Sequence, residues 1–175
     1  MKCSVLSARC AKRPGFTLAE VVIALGVIAI AVVAILALFP AALQTGHSAQ
    51  DETRAAQIAQ TIFPRLIGQA VSQFNNLQLL LSDNTTRSTP PIDLTASSTP
   101  ALTLYAKNDG EITQDATTAA YTIFIYTNNS VPGFTDLASA NEVTVRVLWP
   151  HVPNQGPTPA PSQTYRDYVR IISKY

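Results

Sequence analysis

The chain is poor in the residues on which most enzymes and metalloproteins rely. Its 175 residues include only two histidines, His47 and His151, and only two cysteines, Cys3 and Cys10. Because no cysteine follows residue 10, a secreted domain stapled by disulfides is excluded. HExxH, CxxC, GxSxG, P-loop and GxGxxG patterns are all missing. We therefore expect surface histidines, no catalytic activity, no cofactor and no metal site.

Charged side chains are also scarce, at 13% of the sequence, about half the usual share. Their distribution is uneven. Residues 1–15 hold Lys2, Arg9, Lys12 and Arg13 and no acidic residue, whereas the remaining chain holds 8 basic and 11 acidic side chains. A net charge of −3 after residue 15 argues against a polyanionic ligand, so no nucleic-acid partner is expected.

A long apolar run follows the basic leader. Residues 16–43 contain a single ionisable side chain, Glu20. As a helix this run measures about 42 Å, longer than the ~30 Å hydrocarbon core of a bilayer, and it is apolar on every side. A secretory signal has an apolar stretch of only ~7–15 residues, and the rest of the chain is too small to bury such a helix. The run predicts a membrane-spanning helix with a cytoplasmic N-terminus, by the positive-inside rule.

Glu20 is unusual in this setting, since a carboxylate inside an apolar helix costs several kcal/mol unless it is neutralised, paired or near the interface. One interpretation is that Glu20 reaches the membrane surface or stabilises the helix N-terminus through the macrodipole. The other is that a cation meets it inside the membrane or inside an assembly. The residues alone leave both interpretations open.

The junction between leader and helix resembles a known family. Residues 12–22 read KRPGFTLAEVV, which is similar to the N-terminus of type IV pilins and type II secretion pseudopilins. In that family a peptidase cuts between a glycine and a phenylalanine, the new N-terminus is methylated, and the fifth mature residue is glutamate. The resemblance implies cleavage between Gly15 and Phe16, N-methylation of Phe16, and an assembly role for Glu20 in pairing with the Phe16 amine of a neighbouring subunit.

The resemblance also implies a function, although it covers only about the first 45–60 residues. The chain is expected to be a structural, non-enzymatic prepilin-like subunit of a type IV pilus or a type II secretion pseudopilus. The expected location is the bacterial inner membrane, with a single pass and a periplasmic C-terminal domain, or a filament. The expected partners are the prepilin peptidase/methyltransferase, other pilin or pseudopilin subunits, an inner-membrane assembly platform and the lipid bilayer. The alternatives are a membrane-anchored binding module that never polymerises and, more distantly, a membrane-tethered hydrolase.

Residues 47–82 predict that the helix continues beyond the membrane. Apolar residues recur there at spacings of three and four, which is typical of an amphipathic helix with one buried stripe: Ile58, Ile62, Phe63, Leu66, Ile67, Ala70 and Phe74. Pro40 and Pro64 each remove one backbone hydrogen bond, so each predicts a kink or a local break. Pro64 is alternatively the point at which one helix ends and another begins.

The C-terminal part has the composition of a β domain. Residues 83–100 are rich in Ser, Thr and Pro and predict a loop, and strand patterns follow at 102–107, 120–127, 142–149 and 165–173. We expect an α+β fold in which a small antiparallel sheet of about four strands packs on the long N-terminal helix. The predicted segments are a leader (1–15), a transmembrane and assembly helix (16–46), its amphipathic continuation (47–82) and a β-rich periplasmic domain (83–175).

One acidic cluster allows two interpretations. Asn108, Asp109, Glu111 and Asp115 carry oxygen ligands of the kind that Ca²⁺ binds, but they lack the alternating acids of a dedicated calcium loop. The run Asn108-Asp109-Gly110 is also strong turn chemistry. We expect a hairpin turn at this position.

Overall fold

The computed structural model describes residues 15–70, 73–83, 87–129 and 140–173. The four basic residues and two cysteines of the leader lie outside the described residues. Contacts within the chain divide it into two compact units, Met1–Gly46 and His47–Tyr175.

The first unit, as far as it is described, consists of the start of one long helix. This helix, α1, is Leu18–Ala70, and all residues from Gly15 to Gly46 are exposed. Its most apolar 18-residue window has a mean hydropathy of 3.3. Among the described residues, α1 alone is long and apolar enough to cross a bilayer. The expected apolar helix is confirmed.

Neither proline interrupts α1. The helix is continuous through Pro40 and Pro64, so the prediction of one helix is confirmed and a break at either proline is wrong. A proline removes one backbone hydrogen bond, and the rest of the ladder can hold the helix together. Around Pro64 the buried side chains of Ile62, Phe63 and Leu66 add tertiary contacts that hold the helix in place.

The helix ends twelve residues earlier than the sequence pattern predicts. The expected helix reaches residue 82, but α1 ends at Ala70 and the described residues 73–83 are extended or turn-forming. Two side chains of α1 bind the backbone of this segment. Gln69 donates from Nε2 to the Gln78 carbonyl at 2.6 Å and accepts from the Gln78 N–H at 3.0 Å, and Arg65 donates to the Leu80 carbonyl.

Pairing with a later segment holds residues 73–83 in this conformation. Leu77 and Ile92 exchange backbone hydrogen bonds of 2.9 and 2.8 Å, and the Leu94 N–H donates to the Phe74 carbonyl at 3.0 Å. Leu77, Leu79 and Leu81 are all buried. Their spacing of two residues is typical of an extended segment. Phe74 follows Ala70 at a helical spacing of four, but it lies beyond the end of the helix.

The second unit contains a five-stranded antiparallel sheet. Its strands are β1 (Ser98–Ala106), β2 (Ile112–Thr113), β3 (Tyr121–Asn128), β4 (Ala140–Trp149) and β5 (Thr164–Ser173), in the order β2-β1-β3-β4-β5. The α+β class is confirmed, and the four predicted strands correspond to β1, β3, β4 and β5. The fifth strand, β2, was not predicted because two residues are too few to show an alternating pattern. In addition, β1 begins inside the predicted loop.

A single hydrophobic core lies between the C-terminal part of α1, from Ala55 to Ala70, and one face of the sheet. Val143, Val145 and Val147 of β4 point into this core, as the alternation of that strand predicts. Of the predicted stripe, the helix buries Ile58, Ile62, Phe63, Leu66 and Ala70, and it also buries Ala55 and Ala59. Ile67, which was expected in the buried stripe, is 40% exposed instead.

A buried amide connects two parts of the sheet domain. Asn141 is fully buried; its Oδ1 accepts from the Asn128 N–H at 3.0 Å, and its Nδ2 donates to the Leu94 carbonyl. We expect Asn141→Ala to lower the free energy of unfolding by about 2 kcal/mol, because the carbonyl of the buried Leu94 loses its hydrogen-bond donor. Chemical denaturation measures this change, with Asn108→Ala at an exposed turn position as the control. Equal stabilities for the two variants would contradict a structural role for Asn141.

The contact between α1 and β3 predicts a dependence of stability on alkaline pH. The Tyr121 hydroxyl donates to Asp51 Oδ1 at 2.9 Å, and burial, followed by this hydrogen bond, raises the pKa of Tyr121 to about 12. The folded state holds this proton more tightly than the unfolded state, so the stabilisation is complete below pH ~10 and is lost as the pH rises through about 12.

We expect the loss to reach about 2 kcal/mol. Denaturation curves recorded at several values of pH from 9 to 12 measure it, with Tyr121→Phe as the matched control. If the wild type and the Phe variant lose stability equally over that range, Tyr121 is not the responsible group.

Candidate functional site

The predicted processing and assembly residues lie together at the start of α1. Gly15 and Phe16 precede the helix, which begins at Leu18. Thr17 and Glu20 form a reciprocal capping arrangement there. The Thr17 N–H and Oγ1 donate to Glu20 Oε2 at 2.9 and 3.0 Å, and the Glu20 N–H donates to Thr17 Oγ1 at 3.3 Å. This is a capping box, in which residues three apart satisfy backbone donors that the first helical turn leaves unpaired.

The capping box accounts for the position of the carboxylate within an apolar run. Glu20 lies in the first turn of α1, where the helix dipole favours negative charge. These contacts are the ones that the first interpretation describes, in which Glu20 stabilises the N-terminus of its own helix. Both hydrogen bonds to the carboxylate use Oε2, and Glu20 Oε1 has no partner among the described residues. The T-x-x-E spacing is a sequence signal for this cap that the initial interpretation of Glu20 missed.

The Gly15–Phe16 peptide bond is open to a protease. Both residues are exposed and lie outside the helix. A side chain at position 15 would meet no atom within 4 Å, and Phe16 is 88% exposed. Exposed, non-helical backbone is the typical setting of proteolytic sites.

Neither histidine belongs to this site. His47 is exposed on α1, as expected, but the prediction of a surface position for His151 is wrong. His151 is half-buried. Its Nδ1 lies 2.7 Å from Thr122 Oγ1, and its ring packs edge-on against Tyr105 with the ring centroids 5.3 Å apart. Burial lowers the pKa of His151, which is consistent with a neutral, structural side chain.

The acidic cluster forms a hairpin, as predicted. Gly110, with φ +90°, lies in the turn between β1 and β2, and the Lys107 N–H donates to the Glu111 carbonyl at 3.0 Å. Lys107 and Glu111 form an ion pair of 2.7 Å, while Asp109 and Asp115 each accept a hydrogen bond from a residue two positions ahead. Within the described ranges, no three His, Cys, Asp or Glu side chains are grouped to hold a metal ion.

Comparison with protein families gives a match at the N-terminus. The prokaryotic N-terminal methylation motif matches residues 10–38, which include the Gly15–Phe16 bond, the capping box and most of the apolar run. The match covers a minor part of the chain and leaves the sheet domain without a counterpart. No curated protein and no solved structure matches the chain.

Proposed function

Because residues 10–38 carry the prokaryotic N-terminal methylation motif, which is consistent with the type IV pilin and pseudopilin family, we propose that the chain is a prepilin-like structural subunit. It is cut between Gly15 and Phe16, methylated at Phe16, and assembled through α1 into a type IV pilus or a type II secretion pseudopilus. The observation that carries the proposal is the match of this motif to an exposed glycine–phenylalanine bond directly ahead of a capped apolar helix.

Cleavage changes the electrostatics at the helix start. It removes Lys2, Arg9, Lys12 and Arg13 together with both cysteines, and it creates one amine at Phe16. Glu20 Oε2 is already engaged by Thr17, whereas Oε1 remains available to a donor from outside the chain. In a medium of low dielectric constant, the Glu20 carboxylate of one subunit and the Phe16 amine of another would attract strongly, and either charge left alone would be costly. The pair would thus set the register between neighbouring subunits.

The exposed apolar surface of α1 requires a cover. The large apolar side chains from Phe16 to Leu43 are between 47% and 88% exposed, far more than a soluble monomer tolerates. Lipid covers this surface while the subunit is a single-pass membrane protein, and the helices of other subunits replace the lipid after assembly. The basic leader favours a cytoplasmic N-terminus, so the sheet domain would lie in the periplasm.

The remaining assignments follow from this scheme. The peptidase/methyltransferase, other pilin-like subunits and an inner-membrane platform are the proposed partners, and the chain itself has no catalytic role. The functional segments would be the leader 1–15, the assembly helix 16–46 and the domain from residue 47 onward, whose helix ends at Ala70.

Filament recovery tests the proposal. The full chain is expressed in a bacterial membrane together with a prepilin peptidase and an assembly machinery, the cells are sheared, and the filament fraction is pelleted and blotted. We expect the mature chain in the pellet and none when the peptidase is omitted, which is the matched control. A chain that stays in the membrane under both conditions would support the non-polymerising binding module instead.

A further inference from the structure

The last strand forms an open edge of the sheet. β5 pairs with β4 over its whole length, from Ala140↔Ser173 to Trp149↔Thr164, with no register shift. In the part of the chain that the structure describes, no strand lies on the other side of β5. Every second residue of this ten-residue edge strand therefore directs its N–H and C=O groups away from β4, where another strand is able to pair with them.

The opposite edge of the same sheet is protected. There β1 contains Pro100 and a register shift between Ser98 and Leu102, and β2 covers its end at Tyr105 and Ala106. Proline, an irregular register and a short covering strand are all devices that prevent an edge from pairing with a second chain. β5 has neither proline nor register shift, so only one of the two edges is open to strand addition.

Apolar surface flanks the open edge on both sides. Three residues of β5 lie opposite the core-facing valines of β4 and point to the same face of the sheet, toward α1: Arg166, Tyr168 and Arg170. The residues that alternate with them point to the outer face. Three outer residues, Tyr165, Val169 and Ile171, are 43%, 54% and 51% exposed. These exposed side chains are able to contact one row of side chains on a strand that pairs with β5.

A groove on the inner side of the sheet has room for the other row of side chains of such a strand. It occupies about 540 Å³ between α1 and β5, and its lining includes Ala56, Phe63, Pro64 and Ile67 of the helix and Tyr168 and Arg170 of the strand. An extended peptide alternates its side chains between two faces. A strand added to β5 would therefore place one row in this groove and the other row beside the exposed outer residues.

The charges along β5 define the chemistry of the incoming strand. Asp167 is held by Arg146 through two contacts of 2.7 Å, and Arg166 pairs with Glu52 at 2.7 Å. Arg170 lies 5.7 Å above the Phe63 ring and has no carboxylate partner among the described residues. The groove is thus lined by apolar side chains, by Gln60, by Asp167 with its charge paired to Arg146, and by Arg170, whose charge has no such pair.

A second copy of this chain fits the edge poorly. Antiparallel pairing of β5 with another β5 would bring the unpaired charges of Arg170 from both chains to one face of the joint sheet, and like charges on neighbouring strands are destabilising. The other edge is blocked by Pro100. A strand of another protein, with acidic residues in the inner row, avoids both problems.

We propose that β5 and the adjoining groove accept an extended segment of a different protein by strand addition. The segment carries apolar side chains in both rows and a carboxylate opposite Arg170. Main-chain hydrogen bonds would supply the general attraction, while the groove and Arg170 would select the sequence. This inference goes beyond the proposed function and uses no residue of the methylation motif, so either one can fail without the other.

Peptide binding to the full chain in detergent tests this proposal. The probe is the dye-labelled peptide SVLVDVLVDS, and its counterparts are SVLVKVLVKS and a version of the acidic peptide with N-methylated central residues. We expect saturable binding of the acidic peptide, with an affinity at least tenfold higher than that of either counterpart. Absence of saturable binding of the acidic peptide at millimolar concentration would overturn the proposal.

Variants of the chain locate the binding site. Arg170→Glu should reverse the preference so that the lysine peptide binds better, whereas Arg87→Glu, the same charge change at another exposed arginine, should change neither affinity. Ala56→Trp, which fills the groove from the helix, should weaken binding of the acidic peptide at least tenfold. Unchanged affinity in both Arg170→Glu and Ala56→Trp would overturn the site. Self-association of the chain that Val169→Lys abolishes would assign the edge to a second copy instead.

Discussion

Glu20→Ala is expected to reduce incorporation of the chain into filaments more than a hundredfold while membrane insertion stays intact. Removing a carboxylate from an apolar helix makes insertion easier, by up to ~3 kcal/mol. In the filament, however, the Phe16 amine of a neighbour would be left buried without a partner, at a cost of about 3–5 kcal/mol. Each 1.4 kcal/mol corresponds to a tenfold change in an equilibrium constant, which gives the expected factor.

The capping box provides the control for this experiment. Glu20→Ala also removes a helix cap, a loss of about 1 kcal/mol, and Thr17→Ala removes the hydroxyl half of the cap while leaving the carboxylate in place. Wild type and variant are expressed together with different tags, and their ratio in sheared filaments is compared with their ratio in membranes. Equal losses for Thr17→Ala and Glu20→Ala would mean that Glu20 acts only as a cap, and equal incorporation of Glu20→Ala and wild type would refute the pairing.

Gly15→Leu is expected to block processing almost completely. A Cβ at position 15 meets nothing within 4 Å, so the chain leaves room for a side chain there, and we attribute the expected loss of cleavage to the pocket of the peptidase. A blot against a C-terminal tag distinguishes the precursor from a product shorter by the leader. Gly26→Leu is the matched control, because its Cβ also meets nothing within 4 Å and the position lies beyond the cut. Normal mature size for Gly15→Leu would place the scissile bond elsewhere.

The sequence contains enough information for the main elements and too little for their ends. The apolar run and the alternation in β3, β4 and β5 are local patterns, so they predict α1 and these strands correctly. The end of α1 at Ala70 depends on backbone pairing of Leu77 with Ile92 and on the two hydrogen bonds between Gln69 and Gln78. Because these contacts are distant in sequence, a local helical spacing in residues 47–82 cannot reveal them.

The processing site can be predicted from the local sequence, whereas the open edge of β5 cannot. Gly15, Phe16 and Glu20 are contiguous in sequence, so the processing motif is recognisable without a structure, and even the Thr17–Glu20 cap has a sequence signature. The open edge of β5 has none, since the strand order that places β5 at the edge is set by pairing between distant segments. Ile67 illustrates the limit: its spacing predicts burial, yet in the fold it lines the exposed groove beside β5.

The N-terminus of the mature chain provides the most direct test of the account. The chain is expressed with a prepilin peptidase, purified from membranes, digested and analysed by mass spectrometry. For a processed prepilin-like subunit we expect an N-terminal peptide that begins at Phe16 and carries one added methyl group, with no peptide from residues 1–15. An intact leader beginning at Met1, or a new N-terminus at any residue other than Phe16, would contradict the central claim.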